Sequence, residues 1–234
     1  MKNTLALLQQ GLQQYGLDES RAPQLISFAE MLLEKNQVMN LTAITDPTDV
    51  AQLHLLDCAA VLTFADLANK SVVDVGTGAG FPGMPLRILE PSVRMTLLDS
   101  LGKRINFLQG VCDQLGFADV NCVHARAEEF AAKHRESFDI ATSRAVASLP
   151  LLAELSLPLV KVGGCFLPMK SVESDEEIAS AARAIEILGG KLADVKDYVV
   201  PGTNVKHRLV VIEKVKASPA KYPRAFAKIK KAPL

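Results

Sequence analysis

The residues best suited to chemistry lie between two predicted strands. The run Gly76-Thr77-Gly78-Ala79-Gly80 follows the apolar, β-branched stretch Ser71–Val75, and Asp99 follows the apolar stretch Met95–Leu98. Glycines in such a turn let backbone N–H groups approach a ligand with no Cβ in the way. A carboxylate about 20 residues past a strand–glycine–helix unit is placed to accept hydrogen bonds from ribose hydroxyls. The segment therefore predicts a nucleoside pocket at the carboxyl end of a parallel sheet.

The glycine spacing discriminates between cofactors. Gly76, Gly78 and Gly80 follow Gly-x-Gly-x-Gly, whereas a nicotinamide fingerprint has Gly-x-Gly-x-x-Gly. Phe81 takes the place of the third dinucleotide glycine, where its ring would crowd a diphosphate. A cofactor with adenosine and an amino acid but no phosphate fits better, and S-adenosylmethionine is such a cofactor. The alternative, a structural turn with a surface Asp99, is disfavoured by the order of strand, turn, helix, strand and acid.

Three cations further along lie at predicted strand ends. Arg144 follows the strand 137–142, Lys170 ends the strand 163–170, and Arg208 lies near the start of the last strand. A buried Arg needs a carboxylate or phosphate partner. We therefore place Arg144 at the boundary between cofactor and substrate, and Lys170 and Arg208 as phosphate or base contacts. A structural role for Arg208 at the last strand pair is an equally good interpretation.

Two other pairs of residues leave alternatives open. Ala127 and Glu128 follow the third predicted strand, Val120–Val123, where adenosine-binding sheets supply a backbone N–H and a side-chain acceptor near adenine. An acidic helix start explains them equally well. His54 and Asp57 lie on one side of a predicted helix. For this pair we favour a surface hydrogen bond or a cap slightly over a pair that faces a substrate.

An α/β sheet must position these residues. Residues 1–68 show helical periodicity without a strand pattern, 69–215 alternate strands with helices, and 216–234 form a tail. The last two strands, 191–200 and 207–215, are joined by a short loop and must be antiparallel. The pattern predicts a Rossmann-like, mostly parallel sheet that ends in an antiparallel pair, as in class I S-adenosylmethionine-dependent methyltransferases. A helical N-terminal region precedes it.

Some local features are predicted in more detail. Residues 36–45 are polar and are expected to be irregular. Ser100 is expected to cap a helix over 101–115. Residues 149–160 are predicted to be a single apolar helix.

Composition bounds the class of protein. The chain has 234 residues, 49% of them hydrophobic, which is enough for one α/β domain with a modest extension and argues against disorder. Lys and Arg together number 26, as do Asp and Glu, so any basic surface must be local. The four cysteines are scattered without metal-ligand spacing, so we expect free thiols, no metal and a reducing cytoplasm. No run resembles a signal peptide or a membrane span, and we expect no membrane partner.

The C-terminal segment is a local exception to this neutral charge. Residues 214–234 carry seven cations, with Tyr222 among them, but no acid. These residues are Lys214, Lys216, Lys221, Tyr222, Arg224, Lys228, Lys230 and Lys231. Clustered cations suit phosphate neutralisation, and with Tyr222 they favour RNA over a merely solvated tail.

Taken together, these motifs identify the chain as resembling one family over nearly its whole length. The motifs are Asp74-Val75-Gly76-Thr77-Gly78-Ala79-Gly80-Phe81-Pro82-Gly83, Leu97-Leu98-Asp99-Ser100-Leu101-Gly102-Lys103-Arg104, Met39-Asn40-Leu41-Thr42, His54-Leu55-Leu56-Asp57, Ser143-Arg144-Ala145 and Lys221-Tyr222-Pro223-Arg224. They resemble the bacterial 16S ribosomal RNA guanine-N7 methyltransferases, the RsmG or glucose-inhibited division protein B family. The chain departs from that pattern at Ala227, where the family usually has Gly; an Ala forced to positive φ would be strained.

The resemblance implies methyl transfer from S-adenosylmethionine to N7 of a guanine in small-subunit ribosomal RNA. It also implies cofactor contacts at Gly76, Phe81, Ala127, Glu128 and Arg144. Guanine N7 carries a lone pair and no proton, so no catalytic acid or base is assigned. We expect ribosomal RNA or the small ribosomal subunit as partner, and a monomer. The alternatives are a methyltransferase with another substrate, an NAD-dependent enzyme and a non-catalytic RNA-binding assembly factor.

Overall fold

A computed structural model of the chain describes residues 2–234. Within this range a block of helices precedes the first strand, and strands then alternate with helices. The helices are α1 (Lys2–Gln14), α2 (Ala22–Met39), α3 (Pro47–Asp49), α4 (Asp57–Ala59), α5 (Val61–Phe64), α6 (Gly83–Leu89), α7 (Gly102–Leu115), α8 (Ala127–Lys133), α9 (Leu149–Ser156), α10 (Asp175–Ile187) and α11 (Phe226–Lys231). A π-helical turn, Val50–Leu56, joins α3 to α4.

The strands form a single sheet. They are β1 (Ser71–Val75), β2 (Arg94–Asp99), β3 (Asn121–His124), β4 (Phe138–Arg144), β5 (Val160–Ser171), β6 (Gly190–Val199) and β7 (Lys206–Lys214). Their order among the described residues is β3-β2-β1-β4-β5-β7-β6. The first five strands are parallel, while β7 is antiparallel to both β5 and β6. The predicted parallel sheet with an antiparallel ending is confirmed.

The direction in which successive strands are added to the sheet reverses beside β1. From β1 the chain winds outward to β2 and β3, and then returns to place β4 on the other side of β1. Ligands of such sheets bind outside the carboxyl ends of the strands where the winding reverses. Gly76 follows β1 and Arg144 ends β4, so the fold brings both residues to this crevice.

Apolar side chains cover both faces of the sheet. Helices α1, α2, α6 and α7 bury Leu8, Phe28, Met84 and Leu108 in one core. A second core lies beneath α8 to α11 on the opposite face. Because α1 and α2 pack into the core of the sheet, the boundary at residue 68 stays a prediction. No helix between residues 2 and 234 has the length and apolar character needed to cross a membrane.

Three local predictions were wrong. The irregular stretch begins later than expected, because α2 continues to Met39 and ends at Asn40, whose φ of 48° is left-handed. The helix predicted over 149–160 stops at Ser156; a 3-10 turn containing Pro158 follows, since proline cannot extend a helix. Ser100 does not cap α7; instead the Asp99 carboxylate accepts the N–H of Leu101.

The C-terminal segment is docked against the body rather than solvated. Lys214 is buried at the end of β7, where its Nζ donates to two backbone carbonyls and to Ser218 Oγ. Tyr222 is buried, and Ile229 of α11 is fully buried in the second core. The expectation of a basic arm is therefore wrong for Lys214 and Tyr222.

Arg224 anchors this segment through a buried carboxylate. Its Nε and Nη2 lie 2.8 and 2.6 Å from the two oxygens of Glu154, a side chain of α9 with no solvent exposure. A charge so buried is tolerated only when it is paired. Ala227 lies inside α11 and its φ is not positive, so the backbone strain expected for an Ala at this position does not arise.

Replacing Arg224 should destabilise the protein through Glu154. We expect Arg224→Met to lower the free energy of unfolding by about 3 kcal/mol, because it strands a buried carboxylate. Lys221→Met, an exposed change in the same segment, should cost less than about 0.5 kcal/mol. Urea unfolding of both variants measures the difference. Equal stabilities would show that the ion pair does not hold the segment.

Candidate functional site

A cavity of about 540 Å³ opens at the carboxyl ends of β1, β2 and β4. Five of the predicted cofactor residues line it: Gly76, Gly78, Phe81, Asp99 and Arg144. The volume falls within the range of about 300–1,000 Å³ that is usual for small-molecule sites.

The glycine loop shapes one wall of this cavity. Gly76 and Gly78 have φ angles of 73° and 60°, which side-chain-bearing residues rarely adopt. The N–H groups of Gly76 and Thr77 both donate to the carbonyl of Leu98, which ties the loop to β2. A Cβ on Gly76 would come within 2.7 Å of Val146 Cγ2, so the loop after β4 approaches closely only because this residue is glycine.

Asp74 closes the loop from below. Its Oδ2 accepts hydrogen bonds from Thr77 Oγ1 at 2.7 Å and from the N–H of Gly83 at 2.8 Å, which joins the end of β1 to the start of α6. Its Oδ1 is buried without a partner among the described residues. Burial raises the pKa of Asp74 to about 6, against the opposing effect of these two hydrogen bonds.

Asp99 holds the opposite wall. Its Oδ2 accepts from the N–H of Gly78 at 2.9 Å and from Arg104 Nη1 at 3.3 Å, and its Oδ1 accepts from the N–H of Leu101 at 2.8 Å. A carboxylate has about four lone-pair positions. One position therefore remains for a ligand donor, and displacement of the long Arg104 contact would free a second.

The Phe81 ring is part of the cavity lining. It stacks on the His54 ring at a centroid distance of 4.5 Å, and the Arg144 guanidinium lies 4.8 Å from its centroid. That this ring would crowd the diphosphate of a dinucleotide stays a prediction.

Arg144 crosses from the sheet to the helical region. Its Nη1 donates to Asp57 Oδ2 at 2.9 Å and to the Leu53 carbonyl at 3.2 Å, and its Nη2 donates to His54 Nδ1 at 2.9 Å. The carboxylate partner expected for this buried Arg is thus Asp57. Our preference for a surface role of His54 and Asp57 was wrong, since tertiary packing turns both toward Arg144.

Asp57 is the centre of a buried polar cluster. Only 1% of the residue is exposed, and its Oδ1 accepts from His207 Nδ1 at 2.7 Å and from the Tyr198 hydroxyl at 2.8 Å. Burial alone would raise the pKa of Asp57, but hydrogen bonding from His207 and the charge of Arg144 hold it below its ordinary value. The hydrogen bond with Asp57 in turn raises the pKa of His207.

The tautomer of His54 follows from its neighbours. Arg144 can only donate, so Nδ1 of His54 accepts and Nε2 carries the proton. That Nε2–H donates to Thr42 Oγ1 at 2.8 Å. Burial and the adjacent charge of Arg144 lower the pKa of His54 to about 4, so the ring is neutral at physiological pH.

A second chamber of about 310 Å³ adjoins the first cavity. The two share His54, Arg144 and Ala145, and Lys170 and His207 are among the other residues that line the second chamber. Arg144 therefore lines two adjacent spaces, and its place between cofactor and substrate stays a prediction.

Lys170 and Arg208 differ in their suitability as substrate contacts. Lys170 lines the second chamber, where its Nζ donates to Glu177 at 2.7 Å and to the Ala147 carbonyl at 2.8 Å. Arg208 lines neither chamber. Its guanidinium pairs with Asp197, its neighbour on β6, and with Asp175 of α10. These contacts fit the structural alternative, and the prediction of a substrate contact for Arg208 is not supported.

Ala127 and Glu128 begin α8 and lie outside the lining of the first cavity. The segment before α8 is linked to the cavity wall, because the N–H of Ala125 donates to the carbonyl of Asp99. The role of Ala127 and Glu128 near an adenine stays a prediction.

Sequence patterns did not point to Tyr198 or His207 as site residues, because neither belongs to a local motif. Thr42 was visible only as part of a family motif.

Comparison with known proteins identifies relatives of the whole chain. The family described as "rRNA small subunit methyltransferase G" matches residues 21–207. The ribosomal RNA small subunit methyltransferase G of Alkaliphilus metalliredigens is 45% identical over 233 residues, which cover 97% of this chain and 98% of the relative. The protein of the same name from Clostridium botulinum is 44% identical with the same coverage.

Solved structures of low sequence identity share the fold. TYW2 from M. jannaschii, in complex with AdoMet, is 14% identical with a TM-score of 0.55, over 68% of this chain and 74% of that chain. TrmN from Thermus thermophilus is 20% identical with a TM-score of 0.53, over 67% of this chain and 48% of that one. The predicted class I methyltransferase fold is confirmed.

The half-buried, neutral His54 should make the stability of the protein depend on pH. An unfolded His protonates near pH 6.5, whereas folded His54 does so near 4. As pH falls through this window, the unfolded chain takes up a proton at His54 that the folded protein does not bind. The free energy of unfolding should therefore fall by up to about 3 kcal/mol. His54→Gln should lack this loss in urea unfolding between pH 7 and 4. Gln can still accept from Arg144 and donate to Thr42.

The matched control is His134→Gln, a change at an exposed histidine after α8. It should keep the wild-type dependence of stability on pH. If His54→Gln retained the same acid loss as this control, folded His54 would not be the neutral group assigned above.

Proposed function

This chain belongs to the rRNA small subunit methyltransferase G family, and from that premise we propose that it transfers a methyl group from S-adenosylmethionine to N7 of a guanine in 16S ribosomal RNA. The observation that carries the proposal is the pair of adjoining chambers on either side of Arg144. Methyl transfer requires a donor site and an acceptor site in contact, and two adjoining chambers support this arrangement. We place the reaction in the bacterial cytoplasm, where ribosomal RNA is found.

The first cavity fits a cofactor without phosphate. The Phe81 ring lies in the cavity lining, where we expect it to crowd a diphosphate, and Asp99 retains an acceptor position for a ribose hydroxyl. The glycine loop presents backbone where a Cβ at residue 76 would collide with Val146. S-adenosylmethionine, when bound, supplies a methyl carbon activated by its sulfonium. We assign Gly76, Gly78, Phe81, Asp99 and Arg144 to hold it, and keep Ala127 and Glu128 as further candidates.

The second chamber is our candidate for the acceptor base. Its lining combines the apolar Leu53 and Met169 with the polar Lys170, Ser171 and His207. N7 faces the major groove, which is deep and narrow in A-form RNA, so the guanine must be unpaired or extruded to enter.

Orientation is the main contribution of the protein to this reaction. Guanine N7 needs no deprotonation, so the residues must align N7, methyl carbon and sulfur; good alignment is worth about 7–11 kcal/mol in favourable cases. Arg144 is fixed by Asp57, His54 and the Leu53 carbonyl, and its charge is balanced by Asp57. Neutral His54 adds no charge beside a base that becomes cationic.

Exposed lysines supply a surface for the RNA backbone. Lys216, Lys221, Lys228, Lys230 and Lys231 remain exposed although their segment is docked. Each phosphate contact should add salt dependence of about one log unit in affinity per log unit of salt. We propose that these lysines, rather than Arg224, bind phosphates.

The activity is tested with small-subunit RNA that lacks its own methylation. Purified protein and tritiated S-adenosylmethionine should incorporate label at N7 of one guanine, and mapping of the labelled base identifies the position. RNA binding without any transfer would favour the assembly-factor alternative. Label elsewhere than guanine N7 would overturn the proposed acceptor.

The role of Arg144 predicts a loss of rate in Arg144→Lys. Arg144 reaches Asp57, His54 and the Leu53 carbonyl from two nitrogens of a planar fork. The single ammonium nitrogen of Lys cannot reproduce that geometry, so alignment is lost. We expect the initial rate at saturating cofactor to fall about a hundredfold. Arg94→Lys, on an exposed side chain at the start of β2, is the matched control and should keep the wild-type rate. An undiminished rate in Arg144→Lys would remove Arg144 from the mechanism.

The role of Asp99 predicts weaker cofactor binding in Asp99→Asn. An amide has one acceptor oxygen, so it cannot serve Gly78, Leu101 and a ribose hydroxyl together. Calorimetric titration with S-adenosylmethionine should give a dissociation constant raised tenfold or more, on the order of one lost charged hydrogen bond. Asp113→Asn, an exposed change on α7, should bind as the wild type does. Equal affinities would exclude Asp99 from the cofactor site.

A further inference from the structure

The second chamber is lined by a histidine, His207, of which one ring nitrogen is hydrogen-bonded and the other is not. His207 Nδ1 lies 2.7 Å from Asp57 Oδ1. Its Nε2, on the far side of the ring, has no hydrogen-bond partner among residues 2–234, and His207 lines the chamber. The side chain is 32% exposed, so a ligand in the chamber can reach it.

We propose that His207 donates its Nε2–H to O6 of the acceptor guanine and thereby selects guanine over adenine. This inference rests on the proposed function and names the residue that reads the base. Along the edge of the purine that carries N7, guanine presents the O6 acceptor, whereas adenine presents the N6 amino donor. A donor fixed beside the methylated nitrogen therefore favours guanine and meets a second donor in adenine.

The protonation of His207 decides which role Nε2 plays. In the imidazolium both ring nitrogens donate, whereas in the neutral ring with Nδ1–H on Asp57 the Nε2 atom accepts. The hydrogen bond to Asp57 raises the pKa of His207 above its ordinary value, against the opposing effects of burial and the charge of Arg144. The carboxylate that orients the ring thus also favours the donor form.

The groups around His207 leave one net positive charge when its ring is protonated, because the single carboxylate of Asp57 faces both His207 and Arg144. Asp57 of α4 faces its Nδ1, and Arg144 of β4 is itself paired with Asp57. Ser171 of β5 and Tyr198 of β6 lie opposite it in the sheet and are uncharged at neutral pH. The remaining nearby ionisable groups are neutral His54, Lys170 with its partner Glu177, the strand neighbour Lys206, and Arg208, which pairs with Asp175 and Asp197.

Lys170 is the competing donor in the chamber. Two of its three N–H groups are engaged by Glu177 and by the Ala147 carbonyl. His207, in contrast, lines the chamber and has no hydrogen-bond partner for Nε2 among residues 2–234. For this reason we assign base selection to His207 and leave Lys170 as a contact to phosphate.

The test compares two bases at the methylated position. Ligated small-subunit RNA carries either guanine or 2,6-diaminopurine there; the latter keeps N7 but replaces O6 with an amino donor. Wild type should prefer guanine. His207→Ala should lower the rate on guanine about tenfold to a hundredfold, the size of a lost charged hydrogen bond, and change the rate on diaminopurine less than about twofold. A structural role alone would lower both rates alike and would overturn the proposal.

A second variant covers the case in which His207→Ala folds poorly. Arg at this position keeps a cationic donor at every working pH. The wild-type rate on guanine should fall as pH rises through the raised pKa of His207, and His207→Arg should show no such fall. Identical pH profiles would overturn the proposal. His134→Ala is the control and should match the wild type in both assays.

The two proposals fail differently. If wild type methylates no guanine N7, the proposed function fails and this inference with it. If wild type methylates guanine and His207→Ala keeps the wild-type preference, only the role of His207 fails.

Discussion

The site depends on one buried carboxylate. Asp57 accepts hydrogen bonds from Arg144, His207 and Tyr198, which lie on three different strands, while Asp57 itself belongs to the helical region. A lone buried charge would be prohibitively costly, so its three donors and Asp57 hold one another in place. This cluster ties α4 to β4, β6 and β7 and so fixes the wall between the two chambers.

Two further carboxylates organise the cofactor side in the same way. Asp74 joins the end of β1 to the start of α6, and Asp99 joins the end of β2 to Gly78 and Leu101. Each side chain accepts backbone N–H groups that a glycine-rich turn would otherwise leave unpaired. Both walls of the cavity therefore stand before any ligand arrives, which lowers the cost of ordering them on binding.

The C-terminal segment shows how paired charges change an expected role. Seven cations without an acid in the same stretch indicate a phosphate-binding arm, yet Glu154 of α9 lies opposite Arg224, and backbone carbonyls take up Lys214. The segment is part of the second core through Tyr222 and Ile229. Only its exposed lysines remain available to a polyanion.

The sequence by itself determined the parts that local rules govern. The β1–loop–α6 unit, the position of Asp99 and the antiparallel ending follow from strand periodicity, glycine chemistry and loop length, all of which act over a few residues. Only the tertiary structure decided that His54 and Asp57 turn inward and that Arg208 is held by carboxylates. Asp57 meets His207 across 150 positions of the chain. No local pattern specifies which distant donor satisfies a buried charge, because packing of whole elements makes that choice.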